Sequence, residues 1–313
     1  MLNTTRRLPG SRTRGTVVLA AGLALLAGSA LWLALTGNTG IRYSADHDET
    51  VPMWWRWIPA LVGIALVRLL PPHLPRRPHL PRRPRPPRVE RTGGMAGAPS
   101  RPIAVALLAA AALFAVGMRL LDGEPAYTLL KLTLLLGVPA ALFRVTRRRG
   151  AAPFRPGDGG SGGGTAGAGA WRRYGPTVPV AAWLALSYLG PLATPASDYG
   201  RTVDAVTLAA TLLVGFLVNA LLEEVFYRRW LQTAWERLLG GWPAIVLASL
   251  LWAAWHIGIQ GTGRIDVDLA SVFVNQGVQG LFLGYLWSSY RRMWPLLVVH
   301  GAANSVPILI GLL

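Results

Sequence analysis

The chain has 313 residues, of which 52% are hydrophobic and 14% charged, well below the roughly 25% charge of soluble chains. Apolar runs alternate with short basic stretches, which excludes a soluble globular protein and a disordered chain and predicts an all-α, polytopic helical membrane protein. With no cysteine, a disulfide framework, an iron–sulfur cluster, a thiolate zinc site and a cysteine protease are excluded as well. The net charge of +17 does not indicate a nucleic-acid partner, because the arginines sit at the ends of apolar runs, where membrane orientation requires them.

In chain order, nine spans are predicted, near 16–36, 54–70, 102–121, 126–145, 176–194, 203–226, 242–257, 269–288 and 294–313. The first follows Arg6, Arg7, Arg12 and Arg14, and its apolar stretch is longer than a signal sequence, so it reads as a retained anchor. Arginines crowd 72–101 and 144–175, and Arg228, Arg229, Arg237, Arg291 and Arg292 mark later turns, whereas Asp46, Asp48, Glu49, Asp122, Glu124, Asp198, Asp266 and Asp268 mark the opposite loops. A cytoplasmic N-terminus then puts every basic cluster inside.

Two loops read as linkers. The Pro/Arg tract in 72–101 contains HLPRRP twice and is expected to be extended, a solvated loop that also fixes topology, with contact to anionic lipid headgroups as the alternative. The Gly-rich stretch within 151–175 is expected to be flexible. It divides a four-span region of unknown role, 1–150, from a five-span region, 176–313.

Ionisable groups inside apolar spans are costly and mark functional sites by default. Among the acids only Glu223 and Glu224 lie in such a run, and among the histidines only His256 and His300. Lys131, the only lysine, lies within the fourth span and is expected to be a structural pair or a snorkelling residue. The rest of the four-span region offers no chemistry.

The sixth and seventh spans fold back at Gly240 and Gly241. From this turn Glu223 rises about 25 Å and His256 about 21 Å, so the two meet at similar depth in an antiparallel pair. Glu224 and Arg228 are one helical turn apart and can pair, which leaves Glu223 to face another helix on a stripe with Asn219 and Tyr227. His300 and Asn304 share a face. A carboxylate enclosed among apolar side chains is a stronger base than one in water, and an imidazole beside it can share the removal of a proton from water. A second imidazole with an amide can donate to a developing oxyanion. The set suits water attack on an amide carbonyl. It suits zinc equally, with Glu223, His256 and His300 as ligands and one open position. Asn275, Gln276 and Gln279 read as structural, with Gly280 and Gly284 as a small-residue packing face.

At these residues the sequence resembles the CPBP or Abi intramembrane proteases, the family of the type II CAAX prenyl endopeptidases and lysostaphin-resistance-type proteins. Glu223-Glu224-Val225-Phe226-Tyr227-Arg228 matches the family's EExxxR motif, Trp252 through His256 is similar to FxxxH with tryptophan in place of phenylalanine, and His300 through Asn304 matches HxxxN. The likeness covers roughly 176–313. It implies an intramembrane endopeptidase with Glu223 as general base, His256 helping to activate water, His300 and Asn304 at the oxyanion, and Glu224, Arg228 and Trp252 in support. Relatives have been described both with and without a metal, so zinc stays open. The implied partners are a membrane-associated peptide or protein and the lipid bilayer, and the implied location is a bacterial plasma membrane. General peptide or protein processing is favoured over true CAAX processing. The rivals are a non-catalytic membrane scaffold, a bacteriocin-immunity protein acting by binding, and a transporter using Glu223 as a proton relay.

Overall fold

The computed structural model describes residues 11–44, 49–70, 101–121, 123–148, 171 and 173–313. The Pro/Arg tract and most of the Gly-rich linker lie outside the described residues. Each predicted span falls on a helix. We label them α1 (Ser11–Leu35), α2 (Met53–Leu69), α3 (Arg101–Leu120), α4 (Glu124–Lys131, continuing through the π-helical Leu132–Gly137 into Val138–Arg148) and α5 (Thr177–Tyr188). Then come α6 (Ala205–Leu239), α7 (Gly241–Ala254, extended by the turn Ile257–Gln260), α8 (Ile265–Val272 through the π-helical Phe273–Gly277 to Val278–Tyr290) and α9 (Met293–Gly311). The only strands among the described residues form a small antiparallel hairpin before α2, in which Gly40–Arg42 pairs with Thr50–Pro52.

The count of nine crossings is not supported: among the described residues six helices are long and apolar enough to span a bilayer, α1, α3, α4, α6, α7 and α9. The physical reason lies in the other three. Helix α2 has 17 residues and carries Arg56 and Arg68, and α5 has 12 residues. Helix α8 is long but polar, with Asp266, Asp268, Asn275, Gln276 and Gln279, and from Phe273 to Leu283 nearly every residue is buried. A helix enclosed by other helices need not offer lipid an apolar surface. The early part of α6 is the opposite case: Ala205–Val214 buries no residue and exposes Val206 and Leu213.

Helices from both sides of the linker interleave. Helix α1 packs on α7 and α8, α2 on α5 and α8, and α3 on the end of α7. The turn between α6 and α7 needs Gly240, whose φ of 100° is open to glycine at little cost. Between α8 and α9 the turn is made by Arg291 at φ 54°. Its guanidinium is tied to Glu236 and Thr233 of α6, which holds that left-handed residue in place. The small-residue face on α8 is a true close approach: a Cβ on Gly284 would stand 2.8 Å from Gln232 Oε1 and 2.9 Å from Ile245 Cγ2.

Candidate active site

Two π-helical stretches in α6, Gly215–Leu221 and Glu224–Gln232, flank Glu223. Such wide turns frequently accompany functional sites. The regular 3.6-residue spacing assumed from the sequence does not hold here, yet the predicted Glu224–Arg228 pair forms: Arg228 Nε donates to Glu224 Oε2 at 3.3 Å with both side chains fully buried. The remaining guanidinium nitrogens of Arg228 have no hydrogen-bond partner among the described residues, and its carbon lies 5.2 Å from the Trp252 ring centre, a cation–π contact.

Glu224 does more than meet Arg228. Its Oε1 is 2.9 Å from His300 Nδ1. A carboxylate accepts, so His300 carries a proton at Nδ1 and directs Nε2 elsewhere. That Nε2 is 4.0 Å from Glu223 Oε2. His256 Nδ1 is 2.9 Å from the carbonyl of Trp252, one turn back in its own helix. The carbonyl accepts the Nδ1 proton, which leaves Nε2 as an acceptor.

Glu223 is not left free. Trp252 Nε1 donates to its Oε2 at 2.5 Å, and Lys131 Nζ of α4 is 2.5 Å from its Oε1. Lys131 is completely buried. Its Nζ also reaches Tyr127 OH at 2.5 Å and Asn219 Oδ1 at 2.7 Å, and it lies over the rings of Tyr127 and Trp255. The four-span region therefore does contribute a charged group to the site. The only sequence signal was a lone lysine in an apolar span, and nothing in its spacing pointed to residues some ninety positions away.

Trp252 sits at the centre. Its ring is 5.1 Å from that of His256 and 5.4 Å from that of His300, both edge-on, and Trp255 stacks on His256 at 3.8 Å. The tryptophan in place of the family's phenylalanine thus adds a donor to the carboxylate as well as an aromatic wall.

Glu223, Trp252, His256, His300 and Asn304 all line one cavity of about 840 Å³. Asn304, one turn beyond His300, is exposed within it. The buried His300 and Glu223 form its inner wall. Arg56 of α2, Gln260, Gln276 and Gln279 line the same cavity, and Arg56 is held by Asn275 Oδ1 and Thr194 Oγ1. Arg56 stands near the start of the predicted span 54–70, where a basic residue reads as an orientation signal.

The zinc alternative requires Glu223, His256 and His300 to aim unengaged donors at one point. Both oxygens of Glu223 are already engaged, one by an ammonium that repels a cation. Among the described residues no three His, Asp or Glu side chains are grouped to hold a metal ion. The residues present do not fit a metal.

A bundle of apolar helices enclosing paired carboxylates and imidazoles defines a helical membrane protein with a buried polar centre. Residues 205–306 match the family model described as type II CAAX prenyl endopeptidase Rce1-like, a stretch of about a third of the chain that supports a likeness to the CPBP/CAAX family. Helices α1 to α5 precede the matched stretch. No curated protein and no solved structure matches the chain.

Proposed function

We propose that the protein is an intramembrane endopeptidase that hydrolyses a peptide bond of a membrane-associated peptide or protein, with water activated by Glu223 and His256. The observation that carries this reading is the gathering of Glu223, His256 and His300 on one cavity from three helices, α6, α7 and α9. In the proposed reaction a water lies against Glu223 and His256 Nε2. Its O–H bond breaks, the proton passes to Glu223, and the oxygen bonds to the substrate carbonyl carbon. The carbonyl oxygen becomes an oxyanion. Asn304 donates to it, and the doubly protonated ring of His300 can donate from Nε2. The proton held by Glu223 then moves to the leaving nitrogen as the C–N bond breaks. Each step uses this chain's own side chains and no metal.

The same reading places the protein in a bacterial plasma membrane with its N-terminus cytoplasmic, and it favours general peptide or protein processing. A binding-only scaffold or immunity protein would have no use for two imidazoles whose tautomers are each fixed by a hydrogen bond. The test is mass spectrometry of membrane peptides from cells making wild-type or Glu223→Gln protein. Cleavage products found with the wild type and lost in the variant are expected. Identical peptide sets would sink the endopeptidase reading.

A further inference from the structure

We propose that Lys131, carried by a helix outside the family-matched stretch, is a positioning residue for Glu223: its ammonium fixes the carboxylate so that Oε2 stays between Trp252 and His300. The helices before the linker thereby complete the hydrolytic centre. This rests on the endopeptidase reading above and adds a component that the three motifs do not contain.

The geometry is a cage. Three oxygens lie within 2.7 Å of Nζ: those of Tyr127 and Asn219 accept hydrogen bonds, and Glu223 Oε1 is its ion-pair partner. The cage is closed on itself, because Tyr127 OH also donates to Asn219 Oδ1 at 2.8 Å. Its floor is aromatic: Nζ is 4.6 Å from the centre of Tyr127 and 4.7 Å from that of Trp255. Trp255 in turn stacks on His256. One assembly therefore touches the base, Glu223, and the ring beside it.

A buried ion pair is by itself weak evidence for anything beyond structure. Three features point further. The acid chosen is Glu223 and not Glu224, which has Arg228 and His300 as its partners. The two carboxylate oxygens of Glu223 are held by two different helices, Oε1 by α4 and Oε2 by α7. Rotating Glu223 out of this geometry would separate an ammonium from its carboxylate in a fully buried place, which is strongly unfavourable. A base that must take a proton from water needs its lone pair held within hydrogen-bond reach, and a misplacement of about 1 Å can lower the rate by about 10²-fold.

The test uses the purified full chain in detergent and a quenched fluorescent peptide spanning a cleavage site found with the wild type. Lys131→Met is expected to lower kcat by about 10²-fold and leave KM within about twofold. Lys131→Arg is expected to recover part of the loss. In a Glu223→Gln background, adding Lys131→Met should change the residual turnover by less than about twofold, because a residue acting through Glu223 has nothing left to position. A Lys131→Met enzyme within about threefold of wild-type kcat, or one whose loss multiplies that of Glu223→Gln, would overturn the proposal. Should Lys131→Met fail to fold, Tyr127→Phe decides. It opens the cage by one oxygen and leaves the ion pair, and about a tenfold fall in kcat at constant KM is expected, whereas wild-type kcat would overturn the proposal. Wild-type protein no faster than Glu223→Gln would instead defeat the endopeptidase reading itself.

Discussion

The helices on the two sides of the linker bring opposite chemistry to one cavity. From α6, α7 and α9 come the carboxylates and imidazoles, Glu223, Glu224, His256 and His300. From α2 and α4 come two cations: Arg56 lines the cavity, and Lys131 is fully buried and paired with the cavity-lining Glu223. The carboxylates, the imidazoles, Arg228 and most of the cavity wall thus lie within the stretch that the family model matches, and Arg56 and Lys131 come from outside it. The lesson is that a motif-bearing half need not be an electrostatically complete one. Helix α6 alone would bury two adjacent acids with one arginine, and a third helix system supplies the missing positive charge.

The sharpest way to break this contrast is Glu223→Gln, expected to lower kcat by about 10³–10⁴-fold in the peptide assay. Activity within tenfold of wild type would mean that the reactive group lies elsewhere. Next comes Asn304→Ala, for which about 10²–10³-fold in kcat is expected if the amide serves the oxyanion. A change in KM alone would reassign Asn304 to substrate binding. Arg228→Met leaves Glu224 buried without its cation and is expected to destabilise the fold by about 3–5 kcal/mol, read as thermal unfolding in detergent. An unchanged melting temperature would show that His300 alone suffices for Glu224.

Trp252→Phe restores the family's aromatic and removes only the donor to Glu223 Oε2. About a tenfold loss of kcat is expected, corresponding to a hydrogen bond to a charged group of about 1.5 kcal/mol. The smallest effect belongs to the lipid-facing start of α6. There the Asp204 side chain accepts from the Thr207 hydroxyl and from the amides of Val206 and Thr207. These bonds, the hydroxyl's foremost, hold its carboxyl below the ordinary carboxylate range. The cap therefore contributes stability above the unfolded-state pKa and loses it as pH falls through the folded one. Hydrogen exchange should report fraying of the first turn in Asp204→Ala at neutral pH, and in the wild type only at acid pH, with Glu223 turnover unaffected.

Much of this was readable in the residues. The positions of the helices followed from apolar runs, and the Glu224–Arg228 pair followed from one-turn spacing, even though π turns replace the regular helix around it. The turns at Gly240 and Arg291 were placed by glycines and arginines. Other features were not readable. Apolar runs do not show where each helix ends: the run at 176–194 holds a helix of only 12 residues, and among the described residues six helices are long and apolar enough to cross. The second partner of Glu224, His300, lies 76 positions away, and no local period links two such residues.

The sequence by itself determined the helical membrane class and which rare polar residues had to be accounted for, because putting each in an apolar setting without a partner is too costly to be accidental. Only the tertiary structure decided the pairings: Glu224 with His300, Trp252 with Glu223, and Lys131 with Glu223. Those contacts depend on how the helices stack, and stacking is set by the close fit of side chains at Gly284 and its like rather than by any pattern along a single strand of sequence.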